Sequence, residues 1–191
     1  YEPLGDARVL DMAVAAATRA SHGVVLVVPP ADAAREGAVA GGPTRSASVR
    51  NGLAAVPAEA TVVCVHDAAR PLASVELFAS VVQAVARGAD AAVPALPVTD
   101  TVKVVDADGT VVATPDRATL VAVQTPQAFR AAALRAAHAA GGDGTDDAAL
   151  VEAAGGLVVT VPGEPWNHKI TEPDDLDRTR EWLARRQTAS S

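Results

Sequence analysis

The stretch TVVCVHDAARPLASVELFASVVQAVARGADAAVPAL (Thr61–Leu96) decides the fold class. It opens on a continuous apolar run, Thr61–His66, turns, continues as Ala/Val-rich helical sequence over Ser74–Arg87, and closes on a second apolar run, Ala91–Leu96. Neither run alternates polar with apolar residues, which suits strands covered on both faces of a parallel sheet. The alternation extends outward. Further strands are predicted at Val24–Pro29, Thr119–Gln124 and Leu157–Val161, and helices at Asp6–Arg19, Arg45–Val56, Arg130–Ala139, Asp146–Ala154 and Asp174–Arg186. Strand–helix alternation at this spacing predicts an α/β fold with a doubly wound, mostly parallel sheet. Thr145 and Thr171 precede helix starts and are read as N-caps.

One segment breaks the pattern. DTVKVVDADGTVVATPDR (Asp100–Arg117) reads as two short β runs around an Asp-Gly turn, which is a hairpin signal. A hairpin inserted in a parallel sheet projects from it, as an active-site flap or a dimerisation arm. The front of the chain is also unusual. Tyr1 onward reads as a loop running into a helix, whereas a doubly wound fold normally opens with a strand and a Gly-rich turn. The expectation is one domain over 1–191 that lacks this strand and loop.

Composition bounds the function. The 191 residues are 49% apolar and 20% charged, which marks a globular chain, and only 3% are aromatic, so Ala, Val and Leu must build the core. Sixteen basic residues against 23 acidic ones give −7, which argues against a broad nucleic-acid-binding surface. The one cysteine, Cys64, excludes an intramolecular disulfide framework and a Cys-based zinc site; in its apolar strand it reads as inert packing. No apolar run approaches the ~18 residues that span a membrane, and the start shows no signal-peptide pattern. The expectation is a soluble, cytoplasmic protein. Of the 16 basic residues 14 are Arg; the two Lys, Lys103 and Lys169, are candidates for places where a compact ammonium is needed.

The candidate chemistry sits at the ends of the predicted strands. Asp67 and Arg70 follow the strand Thr61–His66, and ligands of open parallel sheets bind at the carboxyl ends of strands. A carboxylate there can hold a divalent metal or a ribose hydroxyl, and an arginine can meet a phosphate. GGPTRSASVRNGL (Gly41–Leu53) leads glycines into a helix start carrying Arg45, Ser46 and Ser48, where free N–H groups can face an anion or a base edge. Thr101 and Arg117 lie at the two roots of the hairpin, and Thr125 and Gln127 follow the returning strand. Lys169 stands just before a helix N-terminus, where a cation opposes the helix dipole; a role toward a ligand accounts for it better than local stability does.

Taken in order, GGPTRSASV, VHDAARP, PVTDTVK, QTPQAF, TDDAALVEAAGG and NHKITEPDDL resemble the 2-C-methyl-D-erythritol 4-phosphate cytidylyltransferase family. The D-ribitol 5-phosphate cytidylyltransferases share much of the pattern. The resemblance implies a homodimeric, Rossmann-like nucleotidyltransferase that takes CTP, a polyol phosphate and Mg²⁺. It implies that Gly42 and Ser48 read the cytosine, and that Asp67 lies near the ribose and the metal. Arg70, Thr101, Arg117, Thr125, Thr145 and Lys169 would form the polyol-phosphate site. Lys169 and Arg117 would serve the chemistry, and the hairpin arm would cross to the other subunit. Two departures stand out: the family's N-terminal strand and basic Gly-rich loop have no match here, and Pro43 removes a backbone donor from the base-reading loop. A truncated, non-catalytic dimeric module is the alternative that the first departure raises.

Overall fold

The computed structural model describes residues 1–141, 144 and 146–189. In chain order the elements are β1 (Pro3–Leu4), β2 (Ala7–Arg8), α1 (Val9–Ala20), β3 (Val27–Val28), α2 (Pro30–Glu36), β4 (Val39–Ala40), α3 (Arg45–Ala55), β5 (Val62–Val65), α4 (Val75–Ala86) and β6 (Ala91–Pro97). There follow β7 (Val104–Val105), β8 (Val111–Ala113), a 3-10 turn at Arg117–Thr119, β9 (Val121–Val123), β10 (Gln127–Arg130), α5 (Ala131–Ala139), α6 (Asp147–Ala153), β11 (Val158–Pro162) and α7 (Pro173–Ala189).

The central sheet has five strands in the order β11-β6-β10-β5, with β9 paired to the far end of β6. Strand β11 is parallel to β6, and β10 is antiparallel to both β6 and β5. So β5, β6 and β11 run one way and β10 is wedged between them in reverse.

Side chains alternate across the sheet with the period of two that strands impose. Ala91, Val93 and Phe129 face α5 and α6 through Leu134, Ala137, Ala148 and Val151. Ala92 and Ala128, with Val62 and Cys64 beside them, face α4 through Val81, Ala84 and Val85. Helices on both faces explain why the strand sequences read as continuous apolar runs. Helix α1 lies over α4 through Ala16, Leu77 and Phe78, and α7 is anchored on the N-terminal hairpin through Leu4, Val9 and Leu176. Burial alone pushes the Cys64 thiol up to about 12, so it is inert packing, as read from the sequence.

The βαβ unit, the hairpin and the helix positions match the sequence reading; other features correct it. The expected strand Thr119–Gln124 is the short, exposed β9, antiparallel to β6. Its apolar run lies on the outer end of the sheet, outside the core. The buried strand is the next one, β10, which contains Gln127 and ends on the exposed Arg130; β5 and β6 pair its two edges and helices cover its two faces. Helix α2 and strand β4 were not foreseen, and β3 and β4 form a separate two-stranded sheet. Thr145 lies outside the described residues; the cap of α6 is Asp146, whose Oδ1 accepts from Ala149 N at 2.9 Å. At α7, Thr171 does not cap: its hydroxyl and N–H both donate to Asp175 Oδ2.

Phe129 is fully buried and its ring joins the sheet to α5 and α6. Phe129→Ala is expected to cost about 3–5 kcal/mol of stability in urea unfolding, the range for emptying an aromatic core site.

Candidate active site

Asp67 is the centre of the site. It leaves the carboxyl end of β5, and its side chain is 20% exposed. Lys169 Nζ stands 3.0 Å from Oδ2, and Arg45 Nε stands 3.9 Å from Oδ1. Burial pushes the Asp67 carboxyl up, but the Lys169 hydrogen bond and the charges of Lys169, Arg45 and Arg70 outweigh it, leaving the carboxyl below its ordinary value. Asp67 is therefore ionised with cations on two sides.

The loop that carries Asp67 is tied to two others. Asp67 N donates to Thr125 Oγ1 at 3.0 Å, and that hydroxyl lies 3.0 Å from His66 Nδ1. His66 Nε2 lies 3.1 Å from the Arg70 carbonyl, which only accepts, so Nε2 carries a proton; in the neutral ring Nδ1 is then the acceptor and the Thr125 hydroxyl the donor. Burial against Phe78 lowers the His66 pKa to about 4, in agreement with that tautomer. Arg70 donates from Nη1 to the Asn167 carbonyl at 2.7 Å, and Ile170 N donates to Ala69 O at 2.8 Å. Asn167, fully buried, donates from Nδ2 to Thr125 O at 2.9 Å. Glu164, in the loop after β11, accepts from Ser74 N and from the Ser74 hydroxyl. Loops 66–70, 124–126 and 163–170 are thus tied together by hydrogen bonds, and Lys169 reaches Asp67 from the last of them.

The third wall is the loop before α3. Thr44 caps that helix by accepting from Ala47 N at 3.1 Å. Gly42 N donates to Ser48 Oγ at 3.1 Å, and the Ser48 hydroxyl donates to Thr44 O at 3.0 Å. A Cβ on Gly42 would lie 2.5 Å from Ala47 Cβ and 3.0 Å from Ala47 C, so only glycine fits this close approach. Arg45, the first residue of α3, meets Asp147 Oδ2 at 2.8 Å on its other side.

Of the residues singled out in the sequence, Asp67, Arg70, Thr125 and Lys169 come together, with Gly42 and Ser48 on the loop beside Arg45. Thr125 is 4% exposed and commits its hydroxyl to holding Asp67 and His66. Thr101 and Arg117 stay at the hairpin root, where Arg117 Nη1 donates to Thr99 O at 2.6 Å. Among the described residues neither bonds to the Asp67 cluster. Lys103 only bridges the hairpin, donating to Thr114 Oγ1 at 2.8 Å. Sequence reading did not assign Arg45 to the site and missed Asp147, His66 and Asn167. Arg45 carried the one available signal, a cation at a helix start where the dipole disfavours it.

The fold and the site together define a nucleotidyltransferase-like α/β domain with its charged groups at the carboxyl ends of the sheet strands. The chain belongs to the 2-C-methyl-D-erythritol 4-phosphate cytidylyltransferase family, whose profile matches residues 4–185. It is 52% identical over 162 residues to the 2-C-methyl-D-erythritol 4-phosphate cytidylyltransferase of Nocardia farcinica, an alignment covering 85% of this chain and 69% of that one. It is 52% identical over 188 residues to the bifunctional enzyme IspD/IspF of Anaeromyxobacter dehalogenans, covering 89% of this chain. The chain spans about half (48%) of that protein's length. Among solved structures, the Thermus thermophilus 2-C-methyl-D-erythritol 4-phosphate cytidylyltransferase superposes with a TM-score of 0.83 at 39% identity, covering 96% of this chain and 92% of that one. The 4-diphosphocytidyl-2C-methyl-D-erythritol synthase of Anaerococcus prevotii superposes at 0.87 with 31% identity, covering 96% and 89%.

The His66 geometry makes a stability prediction. Its folded pKa lies below the ordinary 6.5, so as pH falls from 6.5 toward 4 the unfolded chain takes up a proton that the folded chain refuses. That interaction costs the wild type up to about 1.4 kcal/mol per pH unit in this window. The stability gap between wild type and His66→Gln, measured by urea unfolding at pH 7.5, 6 and 5, should therefore narrow as pH falls. A constant gap would show that His66 is not held neutral by the fold.

Proposed function

We propose that this chain transfers the cytidylyl group of CTP to 2-C-methyl-D-erythritol 4-phosphate, releasing pyrophosphate and the CDP-alcohol. The observation that carries this is the Asp67–Lys169 pair at 3.0 Å, set on rigidly joined loops at the strand ends in a chain of this family. Nothing in the site favours ribitol phosphate instead. The reaction is an in-line displacement: an oxygen of the sugar phosphate attacks the α-phosphorus as the bond to pyrophosphate breaks. The protein's work is positioning and charge neutralisation, with no covalent intermediate. Lys169, on a flexible stem and 44% exposed, exchanges Asp67 for the growing charge at the α-phosphate and the sugar phosphate. Arg70 adds a fixed positive charge behind it. Gly42 and Ser48 shape the loop that receives the cytosine.

Magnesium fits this site. Among the described residues no group of three or more His, Cys, Asp or Glu forms a cage. Mg²⁺ commonly binds through one or two carboxylates and substrate phosphates while keeping several waters. Asp67 would supply the carboxylate and the triphosphate the remaining anionic ligands. When bound, the ion neutralises phosphoryl charge.

The working unit is a cytoplasmic homodimer in this proposal. Val104, Val105, Val111 and Val112 on the arm are 44–59% exposed, an apolar, unpaired edge of the kind that partners cover. Arg117 and Thr101 at its root would then reach the partner's site.

Two experiments test this. In a pyrophosphate-release assay with CTP and each of the two polyol phosphates, Lys169→Ala should lower kcat by about 10²–10³, the scale for losing one preorganised charge. Lys169→Arg should recover only part of it, because a planar guanidinium does not replace an ammonium. Wild-type turnover in folded Lys169→Ala enzyme would overturn the assignment. For the arm, Arg117→Ala and Lys169→Ala chains, each inactive alone, should regain activity when mixed into heterodimers. If the arm acts across the interface, one site carries both lesions and the other none. No recovery in proven heterodimers would place Arg117 in its own subunit's site.

A further inference from the structure

Asp147 is fully buried at the start of α6, where an unpaired carboxylate costs several kcal/mol. Two side chains from other segments meet it. His138, in the last turn of α5 and 5% exposed, places Nε2 2.9 Å from Oδ1. A carboxylate only accepts, so His138 Nε2 carries a proton and donates it. Arg45 Nη1 lies 2.8 Å from Oδ2, at an angle that makes the contact one of charge more than an aligned hydrogen bond. Two further contacts fix the N-terminal end of α6: Gly144 N donates to Ser46 Oγ at 3.4 Å, and Gln127 Nε2 donates to Asp146 Oδ2 at 3.1 Å. Ser46 and Gln127 are both 1% exposed, so the anchor is seated in the core.

The contacts form a chain from the His138 ring through Asp147 and Arg45 to Asp67 and Lys169. The two cations on Asp67 differ in kind. Lys169 has no second carboxylate within ion-pair distance among the described residues and is free to follow a phosphate. Arg45 is held from behind by a buried carboxylate and stays.

We propose that His138 and Asp147 are positioning residues for the nucleotide end of the site, holding the Arg45 guanidinium beside Asp67 so that the Asp67 carboxylate stays in place when Lys169 turns to the substrate phosphates. This rests on the cytidylyltransferase reading above. The anchored guanidinium belongs to the Gly42–Ser48 loop and helix start, so its displacement should be felt by CTP more than by the sugar phosphate.

The test compares full-chain wild type with Asp147→Asn, His138→Leu and His138→Gln. Melting temperature, CTP binding by calorimetry and the separate KM values for CTP and for 2-C-methyl-D-erythritol 4-phosphate are measured for each. Asp147→Asn keeps the size and removes the charge that holds Arg45. It should weaken CTP binding and raise the CTP KM about tenfold or more, the scale of losing a charged partner, with a clearly smaller rise in the sugar-phosphate KM. His138→Leu should act in the same direction, and His138→Gln, which keeps an N–H donor, should restore most of the loss. Lower melting temperatures with unchanged CTP binding, or equal rises in both KM values, would overturn the proposal and leave the cluster as core packing. A wild type that neither binds CTP nor turns over removes the functional reading instead. The crystal structure of Asp147→Asn then decides the proposal: a displaced Arg45 side chain upholds it, and an unmoved one overturns it.

Discussion

A half-buried carboxylate must be paired, and Asp67 imposes that requirement on everything around it. Its desolvation is met by charges from three parts of the chain: Lys169 from the loop after β11, Arg45 from the start of α3, and Arg70 from its own loop. None of these could be placed to within a few tenths of an ångström by exposed loops acting alone. The hydrogen bonds through Thr125, His66, Arg70 and Asn167 make loops 66–70, 124–126 and 163–170 one unit, so the Coulombic gain at Asp67 requires little further ordering.

That unit exists because of the reversed strand. With β10 wedged between β5 and β6, the start of β10 lies beside the end of β5, and Gln127 stands opposite Val65. The turn before β10 therefore reaches the same edge of the sheet as the loops that leave β5 and β11. A purely parallel sheet would place the amino end of that strand at the opposite edge, away from Asp67. The neutral His66 ring follows from the same packing: it is buried against Phe78 of α4, its Nδ1 joins its loop to Thr125, and its Nε2 closes its own loop on the Arg70 carbonyl.

The legible parts of the chain were those whose burial is set locally. The runs Thr61–His66 and Ala91–Leu96 are apolar on both faces because helices cover both faces, and that pattern can be read without knowing the partners. Strand β10 could not be read this way. Its Gln127 is buried through a bond to Asp146 and its Arg130 is paired with Asp90, both contacts made by the fold and not by sequence spacing. Strand β9 failed in the opposite direction: Val121 and Val123 are apolar but half exposed at the outer end of β6. In the site, Asp67, Arg70 and Lys169 were legible because strand ends and helix starts give a charge a positional meaning. His138 and Asp147 were not, since a histidine late in one helix and an acid early in the next have an ordinary surface reading until both are found buried.

The charge balance of the site differs from that of the chain. The protein carries −7 overall, yet the cluster of Arg45, Arg70, Lys169, Asp67 and Asp147 sums to +1. Asp147 is fully enclosed and neutralised by Arg45, so the face presented at the strand ends is set by Lys169 and Arg70 against one carboxylate. A cleft of opposite sign on an acidic protein focuses the field locally while the surrounding surface repels anions, which favours a polyanion arriving at the strand ends over adhesion elsewhere. Lys169 is the group best suited to transfer that attraction to a substrate: it is the most exposed of the cations paired with Asp67, and its ammonium can change partners without breaking a fork of bonds. A guanidinium in its place would hold Asp67 bidentately and release it less readily, which gives a physical reason for one of the chain's two lysines to stand here while arginine serves almost everywhere else.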